Sequence, residues 1–274
     1  MEVEQKTRLV WLDALRGICV LLMILDHFAF WMCDMFYPSW SMSIASVPWL
    51  NGMYEFVAGI YMSDARYYIR IVVVFLFIMI SGISSTFSRN NLVRGLKLAL
   101  VALALTAVTA IADHFDGEPD SQMLIVFGIL HMLACCMLLY GFLCMFDRRL
   151  FGKFRLIHLF SIILAIVCIV PVPYLPIVSN NKFLFIFGIP YPGFVSADYF
   201  PLIPYMGFFF IGVLVGGLIS RKAQLPSMIN KCLKPTAFVG RHALIIYLAH
   251  VPIVYAILEI IGIITLKIST LGLL

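Results

Sequence analysis

Two pairs of ionisable residues interrupt the first long apolar stretch of this chain, Asp13 with Arg16 and Asp26 with His27. A charge inside a membrane costs roughly 2.5–3.5 kcal/mol on insertion scales, so such residues usually serve a function. Asp13 and Arg16 share one helix face because they are three residues apart. Arg16 and His27 are eleven residues apart, which is three helical turns plus about 20°, and about 16 Å of rise. The spacing predicts a cationic anchor near one membrane face and an acid–base group towards the other.

Histidine is the residue type best suited to acid–base chemistry, and His27, His131 and His250 all lie in long apolar stretches. A neutral imidazole beside a carboxylate can take a proton from a hydroxyl or an amine. We therefore interpret His27, Asp26 and His131 as candidate catalytic residues. In the alternative interpretation a membrane histidine hydrogen-bonds to a neighbouring helix, and for His250 this alternative is favoured. Asp26 is offset from His27 by about 100° on the helix, so it could also face a different helix.

A second group of residues could bind phosphate. Arg89 and Arg94 follow the second apolar stretch, and Asn90 between them could cap the next helix. Guanidinium groups and helix N-termini both bind phosphate well. Arg16 and Arg241 are further candidates for the same ligand. The alternative explanation is the ordinary excess of positive charge in cytoplasmic loops.

Six polar side chains are predicted at the outer mouth of the protein, namely Tyr54, Glu55, Arg66, Arg70, Asp198 and Tyr199, and Tyr54, Glu55, Arg70 and Asp198 are the candidates for binding the acceptor. Aromatic and charged residues at this level are suited to a sugar or a lipid headgroup. Tyrosine and arginine also anchor many proteins at the membrane surface, so this indication has low specificity.

The composition places these residues in an integral membrane protein. Of 274 residues, 63% are hydrophobic and only 12% are charged, and the mean hydropathy is +1.03. No soluble globular domain has this balance. The seven cysteines lack metal-ligand spacing, and no His/Asp/Glu pair has it either, so we expect no metal and no nucleic-acid partner. No cleavable signal peptide is expected, because the first apolar stretch is too long and carries charges.

The apolar stretches predict an all-α protein of one domain, residues 1–274, with about seven transmembrane helices. Two further apolar segments, 40–62 and 183–195, are interrupted by prolines. We predict that these two are interfacial or re-entrant segments on the outer side, where irregular backbone can line a cavity. The predicted spans are 9–33, 68–88, 95–112, 122–146, 156–178, 199–220 and 239–262.

The charges of the linkers alternate in sign and predict the orientation. Fourteen of the 19 lysines and arginines lie in the N-terminus and in linkers 89–97, 147–155 and 220–242. The linker after the third span instead carries Asp113, Asp116, Glu118 and Asp120 and no lysine or arginine. By the positive-inside rule the N-terminus is cytoplasmic and the C-terminus is outside. The basic residues are Lys6, Arg8, Arg89, Arg94, Lys97, Arg148, Arg149, Lys153, Arg155, Arg221, Lys222, Lys231, Lys234 and Arg241.

Five sequence blocks resemble a known family. The block Leu12-Asp13-Ala14-Leu15-Arg16-Gly17, followed by Met23 to His27, resembles the first helix of the transmembrane acyltransferase superfamily. The other blocks resemble its heparan-α-glucosaminide N-acetyltransferase branch, in order and over nearly the whole chain. They are Phe75–Gly82 with Phe87-Ser88-Arg89, Gly128–His131, Asp198–Pro201 and Gly240–His250.

The resemblance implies acetyl transfer across a membrane, from cytoplasmic acetyl-CoA to an acceptor on the far side. Related polysaccharide O-acyltransferases have an arginine, ten residues and a catalytic histidine in the first helix, which matches Arg16 and His27. The heparan-type enzyme instead has asparagine at the position of His27 and a catalytic histidine in the following luminal loop. Residues 28–40 contain no histidine, so either His27 does the chemistry or the heparan-type mechanism does not carry over. With seven predicted spans, fewer than the eukaryotic enzyme has, the chain resembles a minimal bacterial form in the cytoplasmic membrane.

The residues and the resemblance together predict an acetyltransferase that acts on an extracytoplasmic sugar or glycan. CoA phosphates are expected among Arg89, Asn90, Arg94 and the arginines 16 and 241, with the thioester near His27. Whether His27 acts as a base or carries the acetyl group stays open, as do the acceptor atom and a homodimeric state. The main alternative is a proton-coupled transporter that uses Asp26, His27 and His131. Repeated halves, common in such transporters, are not evident. A scaffold or receptor is the other alternative.

Overall fold

The computed structural model describes residues 9–36, 47–116, 123–151, 155–219 and 226–270, and these are almost entirely helical. The predicted basic positions Lys6, Arg8, Lys153, Arg221 and Lys222 lie outside the described residues, as do residues 40–46 of the segment 40–62. The helices are α1 (Val10–Phe30), α2 (Pro48–Tyr61), α3 (Asp64–Thr86), α4 (Asn91–Asp116), α5 (Ile129–Phe151), α6 (Arg155–Ile169), α7 (Leu202–Leu218), α8 (Ser227–Cys232), α9 (Lys234–Arg241) and α10 (Ala243–Thr270).

The prediction of an all-α membrane protein is confirmed. Six of the described helical segments are long and apolar enough to cross a membrane, and each coincides with a predicted span. The seventh predicted span, 199–220, contains the shorter apolar helix α7 of 17 residues, which rises about 25 Å. The six segments are Val10–Phe36, Asp64–Thr86, Asn91–Phe115, Ile129–Asp147, Leu156–Tyr174 and Ala243–Thr265.

The two segments predicted to be interfacial or re-entrant differ in structure. Residues 48–61 form α2, with Pro48 in its first turn, where a missing backbone N–H has no consequence. At 14 residues this helix rises about 21 Å and is too short to span. Segment 183–195 is a short 3₁₀ helix, Lys182–Phe187, followed by irregular backbone. The depth of both segments in the membrane stays a prediction.

The described residues divide into two compact units, each of which we describe separately. Unit 1 comes from the stretches Met1–Phe77 and Arg221–Leu274, and unit 2 from Ile78–Ser220. In unit 1, a π-helical turn, Trp31–Phe36, continues α1. Its apolar side chains pack with those of α2 and α10 in a core whose members are Met32, Phe36, Val47, Leu50, Val254 and Leu258.

Unit 2 is organised by glycines that allow helices to approach closely. A Cβ atom on Gly82 of α3 would overlap the backbone carbonyl of Phe209 in α7. Gly95 of α4 and Gly141 of α5 are in similar contact with Leu138 and Leu92 of the facing helix. Small residues at helix interfaces are typical of membrane proteins, because lipid provides no hydrophobic driving force and close packing must replace it.

Candidate active site

The candidate site in unit 1 is organised by a contact between two glycines. A Cβ atom on Gly17 of α1 would overlap the carbonyl oxygen of Thr236 and lie 2.9 Å from the backbone nitrogen of Gly240. A Cβ atom on Gly240 would overlap the carbonyl oxygen of Asp13 and lie 2.8 Å from the nitrogen of Gly17. The backbones of α1 and α9 therefore touch at this point, with no room for a side chain on either glycine.

His27 and His250 meet further along the same two chain segments. Their rings are 4.8 Å apart between centroids and perpendicular to each other, in an edge-to-face contact. His27 follows Gly17 by ten residues, and His250 follows Gly240 by ten. Both segments therefore run in the same direction, and ten residues of helix rise place the pair about 15 Å from the glycine contact.

Both rings have the same tautomer. Nδ1 of His27 lies 2.9 Å from the carbonyl oxygen of Met23, and Nδ1 of His250 lies 2.5 Å from that of Tyr247. A carbonyl oxygen can only accept a hydrogen bond, so in each ring Nδ1 carries the hydrogen. In the neutral rings Nε2 is therefore the basic atom.

Asp26 is paired with an arginine. Nε of Arg66, in α3, donates to Oδ1 of Asp26 at 2.7 Å, and each of these side chains is 20% exposed. The Arg66 guanidinium also lies over the Tyr61 ring, 4.0 Å from its centroid, and the Tyr61 hydroxyl donates to Asp34. Burial, together with this hydrogen bond, raises the pKa of Tyr61 to about 12. The predicted pairing of Asp26 with His27 thus has a competitor in Arg66.

The two arginines predicted to bind phosphate in unit 1 are each adjacent in sequence to one glycine of this contact, Arg16 to Gly17 and Arg241 to Gly240. Arg16 forms an ion pair with Asp13 at 3.0 Å, as their spacing predicted. Arg241, the last residue of α9, is exposed, and its Nε donates to the carbonyl oxygen of Ala237 at 3.3 Å. The structure therefore brings the cationic anchor Arg16 and Arg241 to the same end of this helix pair, about 15 Å of helix rise from the histidines.

In unit 2, both ring nitrogens of His131 have protein partners. Nδ1 accepts from the backbone N–H of Gly128 at 3.3 Å, and Nε2 lies 3.2 Å from the Thr106 hydroxyl oxygen. That hydroxyl donates its own hydrogen to the carbonyl oxygen of Ile125, so Nε2 of His131 is the donor. His131 thus links the start of α5 to α4 by a hydrogen bond, which is the contact that the alternative interpretation of a membrane histidine predicted.

Asp198 lies at the N-terminus of α5. Its Oδ2 accepts from the backbone N–H of Ile129 at 3.0 Å, and a Cβ atom on Gly128 would overlap the same oxygen. A carboxylate at the N-terminus of a helix accepts a hydrogen bond from a backbone N–H that has no partner within the helix. Its negative charge also interacts favourably with the helix dipole. The blocks Gly128–His131 and Asp198–Pro201 therefore meet in one cap, and Phe127 also pairs with Tyr199 in a parallel bridge.

The other predicted binding residues lie on exposed surfaces. Arg89 and Arg94 are exposed at the start of α4, where Asn90 caps the helix by accepting from the N–H of Val93 at 3.1 Å. This confirms the predicted cap and leaves the predicted phosphate site untested. Arg70 is also exposed.

The two predicted mouth residues of α2 have different surroundings. Tyr54 packs against the apolar core of unit 1. Glu55 is exposed and accepts from the side chain of Asn51 at 2.9 Å. Among the described residues no three His, Cys, Asp or Glu side chains come together in a way that could hold a metal ion.

Sequence reasoning did not select His250 for the site, and it placed Arg66 at the outer mouth without pairing it with Asp26. One signal for His250 was present, because the interval of ten residues after Gly17 recurs after Gly240. No comparable signal pointed to this pairing, because Arg66 is 40 residues from Asp26 and pairs with it only through the packing of α3.

The chain was compared with known families and proteins. It matches the family described as "Heparan-alpha-glucosaminide N-acetyltransferase, catalytic" over residues 8–252. No curated protein and no solved structure matches it significantly. The family match covers all five sequence blocks and both histidines of the candidate site. The chain therefore belongs to the family of the heparan-α-glucosaminide N-acetyltransferase catalytic domain.

Proposed function

We propose that this membrane acetyltransferase moves acetyl from cytoplasmic acetyl-CoA to an amine or hydroxyl of an extracytoplasmic sugar or glycan, in the bacterial cytoplasmic membrane. His27 is the base in this proposal. The observation that carries it is the orientation of the His27 ring, whose Nδ1–H is bonded to the Met23 carbonyl, so that Nε2 is the basic atom. Family membership supports the reaction class.

For each acetyl group, one proton passes from the acceptor to the CoA thiolate in two transfers, through His27. Nε2 of His27 takes the proton as the acceptor nitrogen or oxygen attacks the thioester carbonyl. The new C–N or C–O bond forms, the C–S bond breaks, and the thiolate of CoA receives the proton from His27. In the other route Nε2 attacks the thioester first, the C–S bond breaks and the CoA thiolate leaves an acetyl-histidine. The acceptor then attacks this acetyl group, the C–Nε2 bond breaks, and the proton of the acceptor passes to Nε2 and on to the thiolate. Both routes require the unprotonated Nε2.

The donor site in this proposal uses arginines at the predicted cytoplasmic level. Arg16 and Arg241 lie beside the glycine contact in unit 1, and Arg89 and Arg94 are exposed at the start of α4 in unit 2. The phosphates of CoA are anionic, and arginine binds phosphate through paired, charge-assisted hydrogen bonds. The distance of about 15 Å between the glycine contact and the histidines gives the pantetheine arm a path along α1.

The first test is calorimetry of acetyl-CoA and free CoA binding to the detergent-purified protein. We expect binding that Arg89→Ala or Arg94→Ala weakens by about tenfold, the loss of a charge-assisted hydrogen bond. A matched control is Arg70→Ala, because the exposed Arg70 side chain is predicted on the outer side of the membrane, opposite Arg89 and Arg94. A folded wild-type protein that binds neither compound would refute the proposal and favour the proton-coupled transporter, tested by pH-driven flux in proteoliposomes.

The second test is release of the CoA thiol from acetyl-CoA, with glucosamine or water as the acceptor. We expect His27→Ala to reduce turnover by about a hundredfold or more, as loss of a general base does, while CoA binding persists. His114→Ala is the control, because His114 is exposed and its ring contacts the adjacent Phe115. Full turnover by a folded His27→Ala protein would refute the role of His27.

A further inference from the structure

His250 carries a buried acceptor atom that the reaction described above does not use. The residue is only 5% exposed, and its Nε2 has no hydrogen-bond partner among the described residues. Its Nδ1–H is bonded to the carbonyl oxygen of Tyr247. Buried polar atoms are nearly always paired, because an unpaired one has lost its water without compensation. An unpaired atom beside a candidate catalytic group therefore calls for a functional explanation.

The ring next to this acceptor is the one that becomes charged during acetyl transfer. The ring centroids of His27 and His250 are 4.8 Å apart. While His27 is neutral, its ring presents no positive charge to the Nε2 lone pair of His250. When His27 holds the proton of the acceptor, the same ring is an imidazolium. In a membrane interior the low dielectric strengthens the attraction between that charge and the negative end of a fixed dipole.

The carboxylates closest in sequence to His27 have other partners. Asp26 is paired with Arg66, and Asp34 accepts from Tyr61. Glu259, also on α10, is nine residues beyond His250 and exposed. The Nδ1–H of the His27 ring already donates to the carbonyl oxygen of Met23. Among the described residues, His250 is a polar group whose ring contacts that of His27 and whose Nε2 lone pair can respond to the positive charge.

We propose that His250 is a positioning residue for His27. Its edge-to-face contact holds the His27 ring, and its Nε2 lone pair stabilises the imidazolium that exists between deprotonation of the acceptor and departure of CoA. This inference rests on the proposed function. The proton goes from the acceptor to His27 and then to the CoA thiolate, so His250 is neutral before and after, and no further reactant is required.

Three variants separate the lone pair from the shape of the ring. His250→Phe keeps an aromatic ring against His27 but has no acceptor. His250→Gln can place its side-chain oxygen near the position of Nε2, and His250→Asn is too short to do so. His242→Phe is the matched control, because His242 has the same Nδ1 bond to a carbonyl oxygen, that of Phe238, but is exposed at the start of α10.

The measurement is release of CoA thiol from acetyl-CoA by the purified full-length protein, with glucosamine and with water alone, to obtain kcat and KM. We expect His250→Phe and His250→Asn to lower kcat by about tenfold to a hundredfold, as removal of a stabilising dipole does. The KM for acetyl-CoA should stay within about twofold, because the interaction exists only in the charged state. His250→Gln should recover at least about threefold of the lost rate, and His242→Phe should match the wild type.

Three results would overturn this role of His250. Wild-type kcat in His250→Phe would show that the lone pair is unnecessary. A Gln variant no faster than the Phe variant, with acetyl-CoA binding intact, would show that an acceptor near the position of Nε2 does not restore the rate. A raised KM with unchanged kcat would indicate substrate binding instead. Failure of the proposed function is distinguishable, since the wild type itself would then release no CoA from acetyl-CoA.

Discussion

The contact between Gly17 and Gly240 gives the sharpest prediction about stability and activity together. In Gly17→Ala, the new methyl group would overlap the carbonyl oxygen of Thr236 and lie 2.9 Å from the nitrogen of Gly240, whereas ordinary contacts begin at 3.4 Å. Both neighbours are backbone atoms, so no side chain can rotate away to relieve the overlap. The helices α1 and α9 must separate.

The size of the effect follows from that separation. The contact with Gly240 alone requires a shift of about 0.5 Å, and the overlap with the carbonyl oxygen requires more. Forcing a methyl group into a packed interface typically costs about 1–3 kcal/mol. The displacement also moves α10, so His250 shifts relative to His27, and a misplacement of about 1 Å can cost about a hundredfold in rate.

The assay is thermal unfolding in detergent, followed by turnover of acetyl-CoA on the same preparation. Gly52→Ala and Gly59→Ala in α2 are matched controls, because an added Cβ meets no atom within 4 Å at either position. These controls should be neutral or more stable by up to about 1 kcal/mol, since alanine favours a helix over glycine. A Gly17→Ala protein with wild-type stability and turnover would refute the close contact and the site built on it.

Three further predictions concern polar contacts. Arg66→Gln should lower the free energy of unfolding by about 1–3 kcal/mol, measured by denaturation, because Asp26 loses its partner in a site only 20% exposed. Tyr61, with a pKa raised from 10.0 to about 12, stabilises the fold below pH 10. That contribution should vanish between pH 10 and 12, and a Tyr61→Phe protein should lack this part of the pH dependence. His131→Ala should reduce thermal stability by about 1–3 kcal/mol, and turnover should fall only as far as unfolding explains.

The helices and the family were predictable from the sequence because their signals are local or cumulative. A stretch of some 20 apolar residues has few alternatives to a membrane helix, since every backbone group must be hydrogen-bonded inside the lipid. The Asn90 cap and the Arg16–Asp13 pair involve residues three positions apart. Such contacts follow from helix geometry alone, whatever the rest of the chain does.

The roles of individual polar residues depended on contacts between distant parts of the chain. His131 and Asp198 have residue types that suit a site, and in the structure they also hydrogen-bond to backbone groups that join and cap helices. Their predicted roles in a site stay predictions. A histidine or an aspartate has the same appearance in a sequence whether it binds a substrate or a backbone N–H. Only the neighbour across the helix interface distinguishes the two.

The sequence by itself determined the all-α membrane fold and the family, because composition, helix period and block order carry that information, and it singled out His27 as a candidate whose role stays a prediction. The tertiary structure alone decided that His27 lies against His250 and that Asp26 pairs with Arg66. The physical reason is that side-chain partners in a helical protein are set by which helices pack and in what register. Two glycines, far apart in sequence, set that register for the histidine pair by allowing α1 and α9 to touch.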